Sequence, residues 1–581
     1  MRLKKEIIRR TVSQEALPAG SESEMHAVLS RVFAGRGIGD ASQIDYSLKH
    51  LPPPHLLCGM GSVVELLEKA IRENQKILIV GDFDADGATS ATLALCALRS
   101  MGATQVNYLV PNRFDFGYGL TPAIVDVALQ DKPDLIITVD NGISSVDGVS
   151  HARKLGMDVI VTDHHLPPEQ LPNASAIVNP NLLDDPFPGK SLAGVGVIFY
   201  VMSALRSHLR KNGWFKDQGI KQPNLAEYLD LVALGTVADL VSLDKHNRIL
   251  VAQGVARINK NQCRPGIHAL LEVGKRDPRR VTASDLGFYV APRLNAAGRL
   301  DDISTGIECL LADNLERARK LAQELHDINT ERRAIEADMQ QQANAIVDKL
   351  KQVDRGAVPL GLCLYEPEWH QGIVGLVASR VKDRTQRPVV AFAPGKDNEL
   401  KGSARSIPGL HIRDLFQLIN VQQPDLITRY GGHAMAAGLS IEQDKFPAFK
   451  SAFESTLREL LNEDDLDRKL YTDGELEEND FSLELAGMLS RAAPWGKDFP
   501  EPLFDGKFEV LNQRIVGEQH LKLSLRPDNT NKTLDAIAFR LIQPGEKMPQ
   551  LTHIRAAYRL DINEYQGTRR VQLIIDYFES L

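Results

Sequence analysis

The sequence predicts an α/β protein: a parallel-sheet domain, a long connecting helix, a second α/β domain and a C-terminal β-barrel. Three observations carry that prediction. Short β-branched runs recur between helical stretches in the first part of the chain, and they end in acidic or imidazole residues. One apolar stripe at helical spacing runs unbroken through the middle. The region after Leu466 holds several short strand patterns and a hairpin turn.

Taken in order, residues 1–75 read as a helical lead-in broken at Pro52-Pro53-Pro54. Strand and helix patterns then alternate from Lys76 to Pro180. Ile77–Val80 is the first strand, and Thr89–Leu95 begins a helix. Val106–Val110 is the second strand, with a helix from Thr121. Leu135–Val139 and Val159–Thr162 are the third and fourth. Such alternation implies parallel strands joined by right-handed crossovers. From Leu192 to Leu243 the pattern is mainly helical. Asp313 opens a long helix, with Asp313 and Glu316 as a capping box and Gly356 as the stop. Leu315, Ala322, Leu325, Ile335, Met339, Ile346 and Leu350 form its stripe. At 1.5 Å per residue it reaches about 65 Å, a length that bridges two domains. Residues 358–455 form a second α/β unit rich in glycine. Phe508–Leu511, Leu521–Leu525, Leu534–Phe539, Ile554–Ile562 and Val571–Tyr577 then read as barrel strands of the OB type, with Tyr565-Gln566-Gly567-Thr568 as a hairpin turn. The expected boundaries are 1–75 for the lead-in, 76–312 for the first α/β domain, 313–356 for the helix, 357–460 for the second α/β domain and 466–581 for the barrel.

Bulk properties exclude some classes. The 581 residues suit three or four domains. Cys58, Cys96, Cys263, Cys309 and Cys363 form no CxxC pair, which disfavours a disulfide framework or zinc-thiolate site and fits a reducing, cytoplasmic setting. No apolar stretch follows the basic Met1–Lys5, so no signal peptide is expected, and no run is long and apolar enough to predict a membrane span. A formal charge of −8 argues against a generic nucleic-acid binder. Clustered metal-binding acids would inflate that count, so local basic clusters matter more.

The chemistry gathers at the strand ends. Asp82, Asp84 and Asp86 follow the first strand, Asp140 the third, and Asp163-His164-His165 the fourth. In open α/β sheets, ligands bind beyond the carboxyl ends of the strands. Carboxylates crowded there repel unless protons or metal ions bind, and oxygen with imidazole donors suits a divalent ion. Asp239 is a further candidate, because a carboxylate in the apolar stretch Leu234–Leu240 is costly unless paired or metal-bound. A solvated acidic turn at Asp82–Asp86 and an exposed His-His loop are the plain alternatives.

These motifs, in this order, resemble those of the DHH phosphoesterase superfamily and, within it, the RecJ single-strand exonuclease family. Gly194-Val195-Gly196 and the run Ala291–Arg299 are similar to further motifs of that family. The run Gly431–Gly438 resembles the companion DHHA1 domain. The resemblance implies a DHH domain, a long helix, a DHHA1 domain and an OB-like barrel. It also implies two Mn2+ or Mg2+ ions held by Asp82, Asp84, Asp86, Asp140, His164 and Asp239, with Asp140 as the bridge. Asp163 would orient His164, and His165 would face the scissile phosphate and assist catalysis. The activity implied is 5′-to-3′ hydrolysis of single-stranded DNA to 5′-mononucleotides in recombination and repair. The partners implied are a helicase and a single-strand-binding protein, with the enzyme itself a monomer.

Candidate substrate contacts are Arg113, Arg293, Asn295 and Arg299, with Trp369, His370, Ser403, Arg405, Gly432 and His433 in the second α/β unit. Arg299 could equally pair with Asp301 or Asp302. Phe83, Phe114, Phe116, Tyr118 and Trp369 are candidates for stacking on bases. On the barrel, Lys522, Arg526, Arg555, Arg559, Arg569 and Arg570 supply charge that could line a strand path or simply meet solvent. Lys275-Arg276 and Arg279-Arg280 form a similar basic cluster. The rival readings are a small-substrate phosphodiesterase, a non-catalytic DNA-binding scaffold and a zinc hydrolase, the last disfavoured by the abundance of carboxylates.

Overall fold

The computed structural model describes residues 5–12, 25–111, 116–353, 359–461, 469–517, 519–528, 530–542, 548, 550–565 and 567–581. Arg113, Phe114, Gly356, Gln566 and the expected boundaries at 356–357 and 466 lie outside them. The chain divides into two compact units, one of Ile7–His326 with Tyr471–Leu581, the other of Met1–Glu6 with Asp327–Leu470. The first α/β region and the barrel thus belong to one unit.

The lead-in departs from the helical expectation. It opens with a strand, β1 (Glu6–Arg9), before helices Ala27–Ala34 and Met60–Arg72. The partner of β1 is β12 (Lys469–Thr472), hundreds of residues away, so no local periodicity could announce it.

Five parallel strands follow: β2 (Ile77–Gly81), β3 (Val106–Leu109), β4 (Leu135–Val139), β5 (Asp158–Thr162) and β6 (Ala176–Val178). Their order is β3-β2-β4-β5-β6. The chain leaves β2 to one side and returns on the other, which puts the switch point between β2 and β4. Every residue of β2 and β4 is buried, as expected for strands covered on both faces. Helices Ala85–Ser100, Gly194–Lys211 and Leu229–Ala238 pack together in the same core. The last is apolar on all sides and fully buried from Leu229 to Thr236, so it delivers Asp239 at its C-terminal cap.

In the other unit, β7 (Leu362–Tyr365), β8 (Val389–Pro394), β9 (Glu399–Arg405), β10 (Arg429–Gly432) and β11 (Ala436–Glu442) form a mixed sheet of order β10-β11-β9-β8-β7. The long helix runs Leu315–Val353, 39 residues, and the division between units falls within it. Its cap is Asn314 rather than Asp313: the Arg317 N–H donates to Asn314 Oδ1 at 2.9 Å. Asn and Asp cap equally well, so sequence alone does not separate these neighbours.

The C-terminal strands β13 (Phe504–Val516), β14 (His520–Pro527), β15 (Leu534–Ala538), β16 (His553–Tyr565) and β17 (Thr568–Ser580) close into a barrel of order β13-β14-β15-β17-β16. Phe504, Phe508 and Tyr558 fill its interior. Asp505 ties the barrel to the N-terminal strand. Its buried carboxylate accepts from Arg9 at 2.9 Å, Thr472 at 2.7 Å and Arg555 at 3.1 Å.

Candidate metal centre

Strand register assembles the centre. Gly81 lies level with Val139, and Val139 with Thr162, so Asp82, Asp140 and Asp163 leave the sheet side by side. Asp140 turns out of its strand at φ 63°. A non-glycine residue in that region carries strain, and Asp is among the few types that tolerate it. The buried Asn141 amide holds the turn by donating to the C=O groups of Val80 at 3.1 Å and Val139 at 2.9 Å.

The acidic loop is anchored from several sides. Asp84 caps the helix Ala85–Ser100, its Oδ1 accepting from the N–H groups of Asp86 and Gly87 at 2.9 and 3.1 Å. Asp86 is fully buried and accepts the N–H groups of Gly194 at 2.7 Å and Val195 at 3.0 Å. Those N–H groups open the helix Gly194–Lys211, whose positive end favours a carboxylate. A Cβ on Gly194 would stand 2.6 Å from Asp140 Cβ, so only glycine fits. The helix Ala291–Leu300 presses on the same loop. Asn295 Oδ1 accepts the Ala85 N–H at 2.8 Å, and a Cβ on Gly298 would come within 1.8 Å of the Phe83 carbonyl oxygen.

The imidazoles face this loop. His164 Nε2 lies 3.0 Å from Asp140 Oδ1 and 3.5 Å from Asp239 Oδ2. Asp163 orients His165, not His164 as the sequence suggested. Its Oδ1 meets His165 Nδ1 at 2.7 Å and accepts the N–H groups of His164 and His165, while Oδ2 accepts Ile143 N–H at 2.9 Å. The backbone turn after β5 carries the His165 ring back over Asp163, a geometry that residue order does not encode. The Tyr118 hydroxyl sits 3.4 Å from His165 Nε2 and 3.4 Å from the Asp140 carbonyl oxygen. Sequence reasoning missed Asn179 and Asn181, whose amides hold the carbonyls of His165 at 2.8 Å and His164 at 2.6 Å. Their signal was present: Asn179-Pro180-Asn181 directly follows β6 at the same sheet edge.

Electrostatics shows what these residues require. Burial, then the charges of Asp86, Asp84, Asp239 and Asp82, push the Asp140 carboxyl well above the usual range. Burial and Asp84 push Asp86 up to about 7, and burial with Asp86 and Asp84 raises Asp239 well above its ordinary value. Burial opposes a charge on His165, but the hydrogen bond and charge of Asp163, with the charges of Asp239 and Asp82, together outweigh it and carry the imidazole up to about 9. Asp163 is held below the usual carboxylate range, because His165 and its neighbours overcome the cost of burial. The carboxylates thus repel one another in a low-dielectric setting that calls for more positive charge than His165 provides.

A divalent ion supplies that charge, and the donor set fits one. Among the described residues, three groups have donor atoms within 4.8 Å of one another: Asp82, Asp84 and Asp140; Asp140, His164 and His165; and Asp86, His164 and Asp239. Asp140 belongs to two of them. Its Oδ1 is buried and accepts no hydrogen bond among the described residues, although His164 Nε2 stands 3.0 Å away. The donors are carboxylate oxygens and imidazole nitrogens with no thiolate, a set suited to Mn2+ or Mg2+.

The substrate candidates separate into two groups. Arg293 is buried, its guanidinium committed to the carbonyls of Tyr289 and Val273 and to His326 Nδ1, so it braces the framework instead of offering its fork to a strand. Asn295 spends its oxygen on Ala85, and Arg299 lies half-buried near the C-terminal end of the same helix. In the other unit, Trp369 is only 3% exposed and its Nε1 donates to Gln342 Oε1 at 2.7 Å, which rules it out as a stacking platform. His370 Nδ1 accepts Gly372 N–H at 3.1 Å. Ser403 and Arg405 lie two residues apart on the same face of β9, with Arg405 Nη1 3.1 Å from Ser403 Oγ. Both abut the first turn of the helix Val374–Thr385, where a Cβ on Gly375 would stand 2.9 Å from each. Ser403 pairs with Gly438 on β11, and Gly438 with Gly431 on β10, so glycine backbone lines the next two strands. Gly432, at φ 131°, and the exposed His433 form the turn between them.

Five of the six barrel cations singled out from sequence are paired within the protein. Lys522 pairs with Asp535, Arg526 with Glu509, Arg555 with Asp505, Arg559 with Glu501 and Asp576, and Arg569 with Glu564. Arg280 of the basic cluster also meets Glu564, and Arg276 pairs with Asp285.

Comparison with known proteins agrees with this architecture. Residues 76–236 match the DHH family N-terminal domain, 357–459 the DHHA1 domain and 472–577 the RecJ OB domain. The chain is 51% identical over 577 residues to the single-stranded-DNA-specific exonuclease RecJ of Salmonella typhimurium, covering 99% of each chain. It is 52% identical over 569 residues to the protein of that name from Escherichia coli, covering 98% of each. The crystal structure of RecJ in complex with Mn2+ from Thermus thermophilus superposes with a TM-score of 0.78 at 29% identity, over 100% of this chain and 80% of that one.

Proposed function

This chain belongs to the RecJ family of single-stranded-DNA-specific exonucleases, and we propose that it digests single strands from the 5′ end, releasing 5′-mononucleotides at a centre of two divalent ions. It is a metal-dependent exodeoxyribonuclease. The observation that carries the reading is the convergence of Asp82, Asp84, Asp86, Asp140, His164 and Asp239 at one sheet edge. We assign these residues to holding the ions. Bound there, the ions supply Lewis-acid stabilisation of the charge that develops on the scissile phosphate and lower the pKa of the attacking water.

The protein's own groups do the positioning. Asp163 takes the Nδ1 side of His165, which leaves Nε2 facing the site with a proton to donate to a phosphate oxygen or the departing 3′ oxygen. The Tyr118 hydroxyl beside that ring limits its swing. Ser403, Arg405 and the N–H groups that open the helix Val374–Thr385 suit a terminal phosphate, because fork, hydroxyl and helix N-terminus all favour an anion. A site for a terminal phosphate would favour ends over interior positions. The family reading extends to a cytoplasmic monomer that works in DNA repair and recombination with a helicase and a single-strand-binding protein.

The test is nucleotide release with manganese from single strands labelled at either end, with Asp140→Ala beside wild type. Mononucleotides released first from the 5′ end, and absent in the variant, support the reading. Release from the 3′ end refutes the polarity. Binding without hydrolysis refutes the exonuclease.

A further inference from the structure

A loop preceding the barrel grips the chain just beyond Asp239. Leu243, four residues on, donates its N–H to the Lys497 carbonyl at 2.9 Å. Gly496 approaches so closely that a Cβ there would stand 2.6 Å from Leu243 Cδ1. The loop is rigid. Gly496 and Phe499 exchange backbone hydrogen bonds of 2.9 and 3.2 Å around Asp498, which sits at φ 58°. Trp495 stacks on Phe499 with centroids 5.2 Å apart and on Phe33 at 5.9 Å, and the Arg248 guanidinium lies 4.2 Å from the Phe499 ring centre.

Lys497 is exposed at the tip of this hairpin and has no ion-pair partner among the described residues. The barrel cations described above are, with few exceptions, neutralised. The Leu243–Lys497 hydrogen bond sets Lys497 beside the segment that follows Asp239. The edge of the cluster marked by Asp239 therefore carries a fixed cation on a stiff support.

We infer that Lys497 binds a backbone phosphate of the single strand where it passes the Asp239 edge of the metal centre, a role that rests on the exonuclease reading above. A strand approaching a cluster of carboxylates meets repulsion at every phosphate not held by a cation. A lysine suits a strand that must advance after each cleavage. Its ammonium is a point charge with rotatable donors, and it holds a phosphate without fixing its orientation as a guanidinium fork does. The anchoring of Leu243 to the Lys497 carbonyl couples the loop to the segment that follows the ligand Asp239, so the cation keeps a constant position relative to the centre.

The test compares full-length wild type with Lys497→Gln and Lys497→Arg. Binding of a fluorescent single strand is measured by anisotropy under chelator across a salt series, and turnover is measured with manganese. Loss of the charge in Lys497→Gln should weaken binding about three- to tenfold at low salt and flatten the salt dependence by about 0.7 in log–log slope, the share of one single-strand phosphate contact. Lys497→Arg should restore the slope, KM should rise in the glutamine variant with kcat nearly unchanged, and melting temperatures should stay level. A glutamine variant with the wild-type slope overturns the inference, as does an arginine variant that loses as much slope as glutamine. Because binding is read without cleavage, wild type that binds but releases no nucleotide refutes the exonuclease reading, while the slopes still decide the role of Lys497.

Discussion

Replacing Gly298 with alanine would drive a methyl group into the backbone that carries the proposed metal ligands. Its Cβ would stand 1.8 Å from the Phe83 carbonyl oxygen, whereas ordinary contact begins at 3.4 Å. The helix Ala291–Leu300 and the acidic loop must therefore part by about 1.6 Å. The helix has little room to retreat. Leu294 and Ala297 are fully buried, and Ile303 would lie 3.8 Å from the new methyl. The loop moves instead and takes Asp82 and Asp84 with it. Two effects on stability nearly cancel: alanine gains about 1 kcal/mol of helix propensity, and overpacking costs about 1–3 kcal/mol. Catalysis is more sensitive. Ligand geometry must hold within about 0.5 Å, and a displacement of about 1 Å costs on the order of 100-fold. We expect Gly298→Ala to melt within a few degrees of wild type and to release nucleotide about 100-fold more slowly at saturating manganese. Gly61→Ala is the control, since nothing lies within 4 Å of that position. Near-normal turnover by Gly298→Ala would refute the argument that this contact sets the ligand loop.

Asp163→Asn keeps the shape but turns one acceptor into a donor where every partner on the carboxylate is an N–H. kcat should fall about 100- to 10,000-fold with the fold intact by circular dichroism, and full activity would remove the orienting role. Burial opposes the charge on Asp505, but hydrogen bonds from Arg9, Thr472 and Arg555 outweigh it and hold the carboxyl below its usual range. A depressed folded pKa gives stability that is complete above the unfolded value of about 3.9 and lost as pH falls through the folded one. Asp505→Asn should therefore flatten acid unfolding in that window and cost about 1.5–3 kcal/mol at neutral pH, and an unchanged acid titration would contradict this. Chelation should abolish nucleotide release, and manganese at about 100 times its Kd should add about 2.7 kcal/mol of stability, read as a rise in Tm. Trp369→Phe should cost about 1 kcal/mol through loss of the Gln342 bond while single-strand affinity stays level, whereas weaker binding at unchanged stability would return the indole to the substrate path.

What could be read from sequence followed the range of the interaction. Parallel strands announce themselves as local β-branched runs, and the topology of such sheets fixes which ends meet. Asp82, Asp140 and Asp163 were therefore legible as neighbours without knowledge of register, and the barrel strands were legible from alternation and a turn. β1 was not, because its ladder partner β12 lies at the other end of the chain. The roles of Arg293 and Trp369 were misread for a related reason. A guanidinium or indole near a glycine-rich motif looks like a ligand contact until the carbonyls of Tyr289 and Val273, or the Gln342 amide on the long helix, are seen to take its hydrogen bonds. The pairing of Asp163 with His165 instead of His164 depends on one backbone turn, below the resolution of any sequence pattern.

The distribution of charge explains how a protein of net charge −8 can handle a polyanion. Part of the acidic excess sits in one buried cluster, where bound ions would cancel it. Other acids pair with the cations that a sequence reading assigns to DNA: Glu501, Glu509, Asp535, Glu564 and Asp576 each take one barrel cation. A cation paired in this way attracts a strand less than an unpaired one. The proposed contacts are instead a small number of placed cations, Arg405 in one unit and Lys497 in the other among them. Each counterion released by such a contact contributes to the salt slope, so a protein built this way should bind single strands with a shallow slope set by a handful of contacts. A barrel face of unpaired lysines and arginines would give a steep one. The measured slope for wild type therefore separates a strand held at a few fixed points from one held by a diffuse basic surface.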